Sequence, residues 1–264
     1  MVMKVVVCIK QVPDTGEVRI DPETGNLIRE GVPSIVNPDD KHAVEEAVVL
    51  KEKYGGKVTV ITMGPRQADA ALRECLAMGA DEAILLSDKA FSGADTSATS
   101  YTLGSAIKKL GEFDLILCGR QALDGNTAQV GPQLAEFLKV PQVTYARKIE
   151  ITGGGLKVER ALEDGYEIVE TRLPALVTAT KDLNIPRIPP MDAIMDAYGQ
   201  KEIITWTASD IDVDRDKIGI KGSPTRIRKA STPVLKKGQI EIIDGTVEEA
   251  VDTLVVRLKG KQLI

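Results

Sequence analysis

Residues 114–138 read DLILCGRQALDGNTAQVGPQLAEFL. The stretch divides into three parts. Asp114 to Cys118 is a continuous apolar run, the pattern of a strand buried on both faces. Residues 119–129 are polar and contain Gly119 and Gly125. Val130, Leu134, Phe137 and Leu138 then recur at helical spacing. The sequence Gly131-Pro132 predicts a kink or the true start of that helix. Asn126 and Thr127 are good caps, and capping there leaves the amides of Thr127 to Val130 pointing outward. Free amides at a helix start form an anion site, suited to a phosphate or pyrophosphate without a lysine. On spacing alone an ordinary glycine-rich turn accounts for the stretch equally well.

The same strand–helix unit recurs upstream. Val5 to Ile9 is a β-branched run ended by Pro13-Asp14, and VRIDPETGNLI reads as a hairpin turning at Asp21 to Asn26. Asn37 is an N-cap, Pro38 suits the first helical position, and Asp39 and Asp40 complement the positive end of the helix dipole. Gly55-Gly56 stops that helix. Lys57 to Met63 is a strand, and Ala68 to Leu76 a helix ended by Gly79. Glu82 to Leu86 is a strand, and Asp95 caps a helix whose inner face is Leu103, Ala106, Ile107 and Leu110. Strands alternating with helices predict an α/β fold: an open, mostly parallel sheet with helices on both faces. Ligands bind such sheets at the carboxyl ends of the strands.

From Pro141 the pattern becomes an antiparallel extension. Gly153-Gly154-Gly155 and Asp164-Gly165 are its turns, and Pro174 leads a last strand, ALVTAT. Residues 1–185 are expected to form the α/β domain with this extension. Residues 186–264 are expected to form a Pro-rich loop and a C-terminal arm. Within the arm, 206–237 shows no periodicity. Thr246 and Glu249 make a capping box for a final helix with Val247, Ala250, Val251, Leu254, Val255 and Leu258 in one apolar stripe.

The formal net charge of −5 argues against a nucleic-acid partner. No stretch approaches the ~20 apolar residues of a membrane span, and the N-terminus lacks a cleavage site, so a cytoplasmic protein is expected. Cys8, Cys75 and Cys118 sit in apolar runs without a C-x-x-C pair and read as reduced core residues. The single histidine, His42, lies on a charged helix and reads as a surface residue. One histidine excludes most zinc sites and Ser-His-Asp devices built elsewhere, so neither a metal site nor a catalytic acid, base or nucleophile is expected. No G-x-G-x-x-G or G-x-x-x-x-G-K-[ST] is present, which disfavours a nicotinamide dehydrogenase or a P-loop NTPase.

Several motifs together carry a family resemblance. GRQALDGNTAQVGP resembles the nucleotide-binding loop of electron-transfer flavoprotein β subunits. So does the pattern Val158-x-Arg160-x-x-Glu163-Asp164-Gly165-x-Glu167-x-Val169 followed by Pro174-x-Leu176-Val177-Thr178. VCIKQVPD, NPDD at 37–40, AMGAD at 77–81 and LNIPR at 183–187 agree in order. The likeness covers almost the whole chain.

The resemblance implies an electron-carrier subunit in a heterodimer with an FAD-carrying α subunit. It implies that the domain of residues 1–185 binds a nucleotide, and that residues 186–264 recognise a partner and pack on the α subunit. The adenine-nucleotide contacts then fall on Cys8, Asn37, Pro38, Asp39, Asp40 and Met63, and on Gly125, Asn126, Thr127, Ala128, Gln129, Val130 and Gly131. ADTSATSYTL at 94–103 and DGNTAQVGP at 124–132 are similar to the electron-bifurcating anaerobic type. That type implies a second FAD here, with Asp95, Thr96 and Thr99 beside its ring, NADH as transient substrate and ferredoxin as acceptor. The non-bifurcating type implies structural AMP instead. The resemblance also implies a partner dehydrogenase held by Ile188, Pro189, Pro190, Met191, Ile194 and Met195. The lysine-rich run that follows in some ferrying members is replaced here by Asp196, Tyr198 and Gln200. Outside the family, a nucleotide-hydrolysing or nucleotide-sensing protein on a similar sheet remains as a reading.

Overall fold

The computed structural model describes residues 2–14, 33–226 and 241–264. The strands are β1 (Met3–Cys8), β2 (Gln11–Pro13), β3 (Ser34–Val36), β4 (Gly56–Met63), β5 (Glu82–Leu86), β6 (Leu115–Gly119), β7 (Gln142–Thr152), β8 (Gly155–Leu162), β9 (Gly165–Arg172), β10 (Ala175–Ala179) and β11 (Ile203–Trp206). The α-helices are α1 (Pro38–Tyr54), α2 (Asp69–Met78), α3 (Thr96–Leu110), α4 (Val130–Leu138), α5 (Met191–Gly199) and α6 (Val247–Gly260). The hairpin expected at 21–26 lies outside the described residues. The short ribbon β2–β3 flanks it.

Nine strands form one sheet in the order β11-β5-β4-β1-β6-β10-β7-β8-β9. The seven strands from β11 to β7 are mutually parallel, and β7, β8 and β9 form the antiparallel extension. The expected α/β class is the observed one. From β1 the chain builds outward through β4 and β5, then returns to the other side of β1 as β6. The strand order therefore reverses between β1 and β6, and the carboxyl ends of these two strands form the switch-point crevice at which open α/β sheets bind their ligands.

Two apolar layers sandwich the parallel strands. Met3, Val5 and Val7 pack with Ala43, Val44, Ala47 and Leu72, which belong to α1 and α2. Val6, Cys8, Ile116 and Cys118 pack with Leu103, Ile107 and Leu134, which belong to α3 and α4. Alternating residues of a central strand point to opposite faces, and here both faces are covered, hence the unbroken apolar runs. Each fully buried Leu or Ile contributes about 1.5–3 kcal/mol, so the strand ends that carry the crevice are anchored in the buried core.

Helix ends follow their sequence signals in most places. Gly55 (φ 74°) and Gly79 (φ 119°) end α1 and α2, and Asp95 accepts the Ala98 N–H at the start of α3. The Thr246–Glu249 capping box is formed, and α6 buries none of its side chains. Residues 186–226 depart from the reading of a loop and an arm. α5 was not expected. β11 joins the main sheet beside β5, and Ala208, Ile211 and Ile218 are buried. The chain separates into two compact units, Met1–Lys229 and Ala230–Ile264.

Candidate functional site

The crevice between β1 and β6 is built on a carboxylate. Asp40, in the first turn of α1, is buried. It accepts the Lys10 backbone N–H through Oδ2 at 2.7 Å and the Gly119 N–H through Oδ1 at 2.9 Å. It thereby joins the ends of β1 and β6 to the start of α1. A Cβ on residue 119 would lie 2.2 Å from Asp40 Oδ1, so only glycine allows the contact. Burial pushes the Asp40 carboxyl up to about 7 and the Asp39 charge adds to the rise. Hydrogen bonds from Asn37, Lys10 and Gly119 oppose it.

Asn37 sits at the expected cap position but does not cap α1 with its side chain. Its Nδ2 donates to the Gln121 carbonyl at 2.9 Å and its Oδ1 accepts the Leu123 N–H at 2.9 Å. A cap candidate is thus a clamp on the 120–129 loop. Lys10 adds a charged contact, its Nζ donating to both oxygens of Asp124 at 2.6 and 2.8 Å. Arg120 follows β6. Its Nε is 3.3 Å from Asp39 Oδ2 yet makes no hydrogen bond, and its guanidinium lies 6.0 Å from the centre of the Tyr145 ring. Tyr145 has φ 60° at an irregularity in β7, and its N–H is held by Thr178 Oγ1 at 2.9 Å.

The loop differs from its expected form in one respect. α4 starts at Val130, with Gln129 as its N-cap, so Asn126 and Thr127 do not cap it. Of the two outcomes expected at Gly131-Pro132, the helix start is the one observed. Asn126 (φ 47°) and Ala128 (φ 53°) instead adopt left-handed backbone, which turns successive amides the same way. Among the described residues, no hydrogen bond engages the amides of Thr127, Ala128 and Gln129. Successive free N–H groups in such a turn form an anion-binding concavity, so the loop fits a phosphate group by a different geometry from a capped helix.

The two glycines of the loop have different roles. A Cβ at Gly125 meets nothing within 4 Å, whereas one at Gly131 would lie 2.7 Å from Thr178 Cγ2 and 3.0 Å from Cys118 Sγ. Gly125 faces open space, and Gly131 lets α4 pack on the sheet.

The remaining expected residues surround this loop. Cys8 is buried at the end of β1, and Met63 is half-buried at the end of β4. Burial pushes the thiols of Cys8 (to about 12), Cys75 and Cys118 up, and all three are free. Thr96 Oγ1 lies 3.2 Å from Gln129 Oε1, which brings the start of α3 to the end of the loop. The Asp95 carboxylate is occupied by the Ala98 N–H and by the N–H and hydroxyl of Thr225. Burial opposes its charge, but these hydrogen bonds prevail and hold it below the usual carboxylate range. Thr99 is half-buried one turn further along α3. Ile188, Met191 and Met195 lie elsewhere on the unit and are exposed by 92%, 70% and 69%. Lys10, Asp124 and Arg120 belong to the site but were not singled out from the sequence. No residue brought together here forms a nucleophile–base pair. Among the described residues no cluster could hold a metal ion, and no helix is long and apolar enough to cross a membrane.

The fold is that of a doubly wound α/β protein, with a glycine-containing loop at its switch point. Residues 24–211 match the electron transfer flavoprotein domain. The chain is 60% identical over 262 residues to the electron transfer flavoprotein subunit beta of Thermoanaerobacterium thermosaccharolyticum, covering 99% of this chain and 100% of that one. It is 59% identical over 262 residues to the protein of the same name from Clostridium acetobutylicum, with the same coverage. It is 54% identical over 263 residues to the caffeyl-CoA reductase-Etf complex subunit CarD of Acetobacterium woodii, covering 99% and 100%. The chain belongs to the electron transfer flavoprotein family, among its β subunits. Membership sets aside the nucleotide-hydrolysing reading.

Proposed function

We propose that this chain pairs with an FAD-carrying α subunit and holds a second FAD in the crevice between β1 and β6, as part of a bifurcating electron-transfer complex. The observation that carries this reading is the 120–129 loop. Among the described residues its amides of Thr127, Ala128 and Gln129 carry no hydrogen bond, and Gln129 at its end meets Thr96 of α3. A dinucleotide with its pyrophosphate on those amides can extend towards the start of α3. A mononucleotide needs only the loop.

Each group of the chain has a binding or orienting task. The amides of Thr127 to Gln129 receive phosphate. Asn37 and the Lys10–Asp124 pair hold the loop that carries those amides. Asp95 fixes the start of α3, so the Thr96 and Thr99 hydroxyls have a constant position beside a ring placed there. Thr99 can donate to it, and Thr96 can do so in exchange for its hydrogen bond to Gln129 Oε1. FAD bound here would supply the redox chemistry, taking a hydride from NADH and parting the electrons between the FAD of the α subunit and a low-potential acceptor such as ferredoxin. The Ile188–Met195 segment is read as the docking surface for a dehydrogenase. CarD is named for a caffeyl-CoA reductase complex, which supports an acyl-CoA reductase or dehydrogenase as that partner. The exposed stripe of α6 suits the α subunit.

The test is cofactor extraction and NADH titration of the heterodimer. Two FAD per heterodimer, both reduced by NADH, are expected. AMP with a single titrating flavin would replace this reading by the non-bifurcating one. Gly125→Val, whose Cβ meets nothing within 4 Å among the described residues, should lower nucleotide content without unfolding the protein. Thr96→Val with Thr99→Val should keep the adenosine end and alter one flavin's reduction.

A further inference from the structure

Helix α1 holds more than the crevice. Its body grips residues 184–187, which lead directly into the exposed apolar segment. Arg187 places Nε and Nη2 on the two oxygens of Glu45 at 2.9 and 3.0 Å. It places Nη1 and Nη2 on the two oxygens of Glu52 at 2.6 and 3.1 Å. Its backbone N–H donates to Glu45 at 3.0 Å. The Glu45 side chain is 8% exposed, so this half of the clamp is withdrawn from water. One turn back, Asn184 Nδ2 donates to the His42 carbonyl and to Glu46. His42 Nδ1 lies 3.0 and 3.1 Å from the carbonyl oxygen and Oδ1 of Asn184. Both are acceptors, which assigns the proton to Nδ1. His42 is therefore a tether, contrary to its reading as a plain surface histidine.

The far end of the segment is held as well. Arg73 donates to the Ala197 carbonyl, and Lys201 Nζ reaches the Leu76 and Ala80 carbonyls at 3.4 and 3.2 Å. Between the anchors, Ile188, Met191 and Met195 stand in solvent. Two prolines, Pro189 and Pro190, stiffen the chain from Ile188 into α5. Ile194 and Ala197 turn inward and seat α5 on the core, so the segment is firmly held while Ile188, Met191 and Met195 are left outside. A rigidly supported, outward-facing apolar patch is the arrangement of a preorganised contact.

We propose that Arg187, through Glu45 and Glu52, is a positioning residue for dehydrogenase docking: it fixes the direction of Ile188 and the entry into α5. The inference rests on the docking reading of the Ile188–Met195 segment. Because the N-terminal turn of α1 also builds the crevice, one 17-residue helix spans the cofactor loop and the docking patch.

The test uses the complete heterodimer, with an FAD-containing acyl-CoA dehydrogenase as electron acceptor. Glu52→Gln removes the more exposed half of the clamp and leaves no buried charge unpaired. Arg187→Lys keeps the charge and loses the planar fork. Met191→Asp tests the patch itself. Hydrogen exchange of residues 184–199 should quicken in both clamp variants. The KM for the dehydrogenase should rise about threefold in Glu52→Gln and about tenfold in Arg187→Lys. The kcat at saturating dehydrogenase, and flavin reduction by NADH without it, should stay at the wild-type level. An unchanged KM in Met191→Asp would overturn the docking reading, and this inference with it. A raised KM in Met191→Asp beside an unchanged KM in both clamp variants would overturn the clamp alone, even where exchange quickens.

Discussion

The 120–129 loop is held at the N-terminal end of α1 and the start of the 184–199 segment along its body, and they are held in opposite ways. The loop is tied by neutral hydrogen bonds from Asn37 and by one partly exposed ion pair. What it offers is backbone: amides that no hydrogen bond engages among the described residues. The segment is tied by an arginine shared between two carboxylates, and what it offers is apolar side chains. A phosphate is recognised by directed N–H groups, which need an exact backbone path and little bulk. A protein partner is recognised by area, which needs a firm base under flexible side chains. One helix serves both because its acidic first turn meets the sheet edge while Glu45, Glu46 and Glu52 lie further along.

The comparison breaks first at the clamp. A double-mutant cycle on Glu45→Gln and Arg187→Met, read by urea unfolding, should give a coupling of about 2–3 kcal/mol. The pair is bidentate and half withdrawn from water. A coupling near zero would place the two anchoring modes on one footing.

At the crevice, Asp40→Asn should cost about 2 kcal/mol, because the new amide turns an N–H group towards one of two backbone donors. The cost should depend on pH. The folded carboxyl is raised to about 7 from an ordinary 3.8. Between these values the native state keeps a proton that the unfolded chain has released. The wild type therefore loses stability as pH rises through this window and levels off above it. The gap between wild type and variant should be wider at pH 4 than at pH 8. A gap that widens with pH would mean that the two N–H donors keep the carboxylate ionised.

The parts legible in the sequence are those with local periodicity. The buried strands announce themselves as runs such as Val5 to Cys8 and Leu115 to Cys118, α1 to α3 by stripes bounded with glycine or aspartate, and α4 by its stripe alone. α5 was hidden because Pro186, Pro189 and Pro190 precede it and Ala197 is its only buried residue. β11 was hidden because four residues after a helix carry too little pattern. The site was legible as a loop but not as a geometry. Left-handed Asn126 and Ala128 replace the cap that residue types suggested, since the chain must turn before Gly131 can press against Thr178. The contacts Lys10–Asp124 and Arg187–Glu45 span 114 and 142 residues, and no local signal connects such partners.

A smaller effect is expected at Asn37→Asp. The acceptor for the Leu123 N–H remains and the donor to the Gln121 carbonyl is lost, so the melting temperature should fall by an amount equivalent to about 1 kcal/mol. Nucleotide release should quicken more than unfolding does, because the variant loosens the loop without opening the core. If Asn37→Asp and Asn37→Ala release nucleotide at the wild-type rate, the loop is held by something other than this side chain.

The smallest effect belongs to the one charged contact of the loop. Lys10 is 45% exposed and Asp124 13%, so water screens the pair from one side. Partly exposed pairs contribute about 0–1 kcal/mol. A cycle on Lys10→Met and Asp124→Asn should therefore give a coupling several times smaller than that of Arg187 with Glu45, and one that shrinks as salt is added. Its consequence for binding runs the other way. Lys10→Met leaves the Asp124 carboxylate uncompensated beside amides that await an anion, so nucleotide content should fall. Asp124→Asn leaves the Lys10 ammonium free at the same place, so retention should hold or rise. Stability nearly unchanged in both variants, with retention moving in opposite directions, is the outcome expected if this pair tunes the charge of the crevice more than it holds the fold. Equal losses of retention in both variants would make it a structural contact like the others.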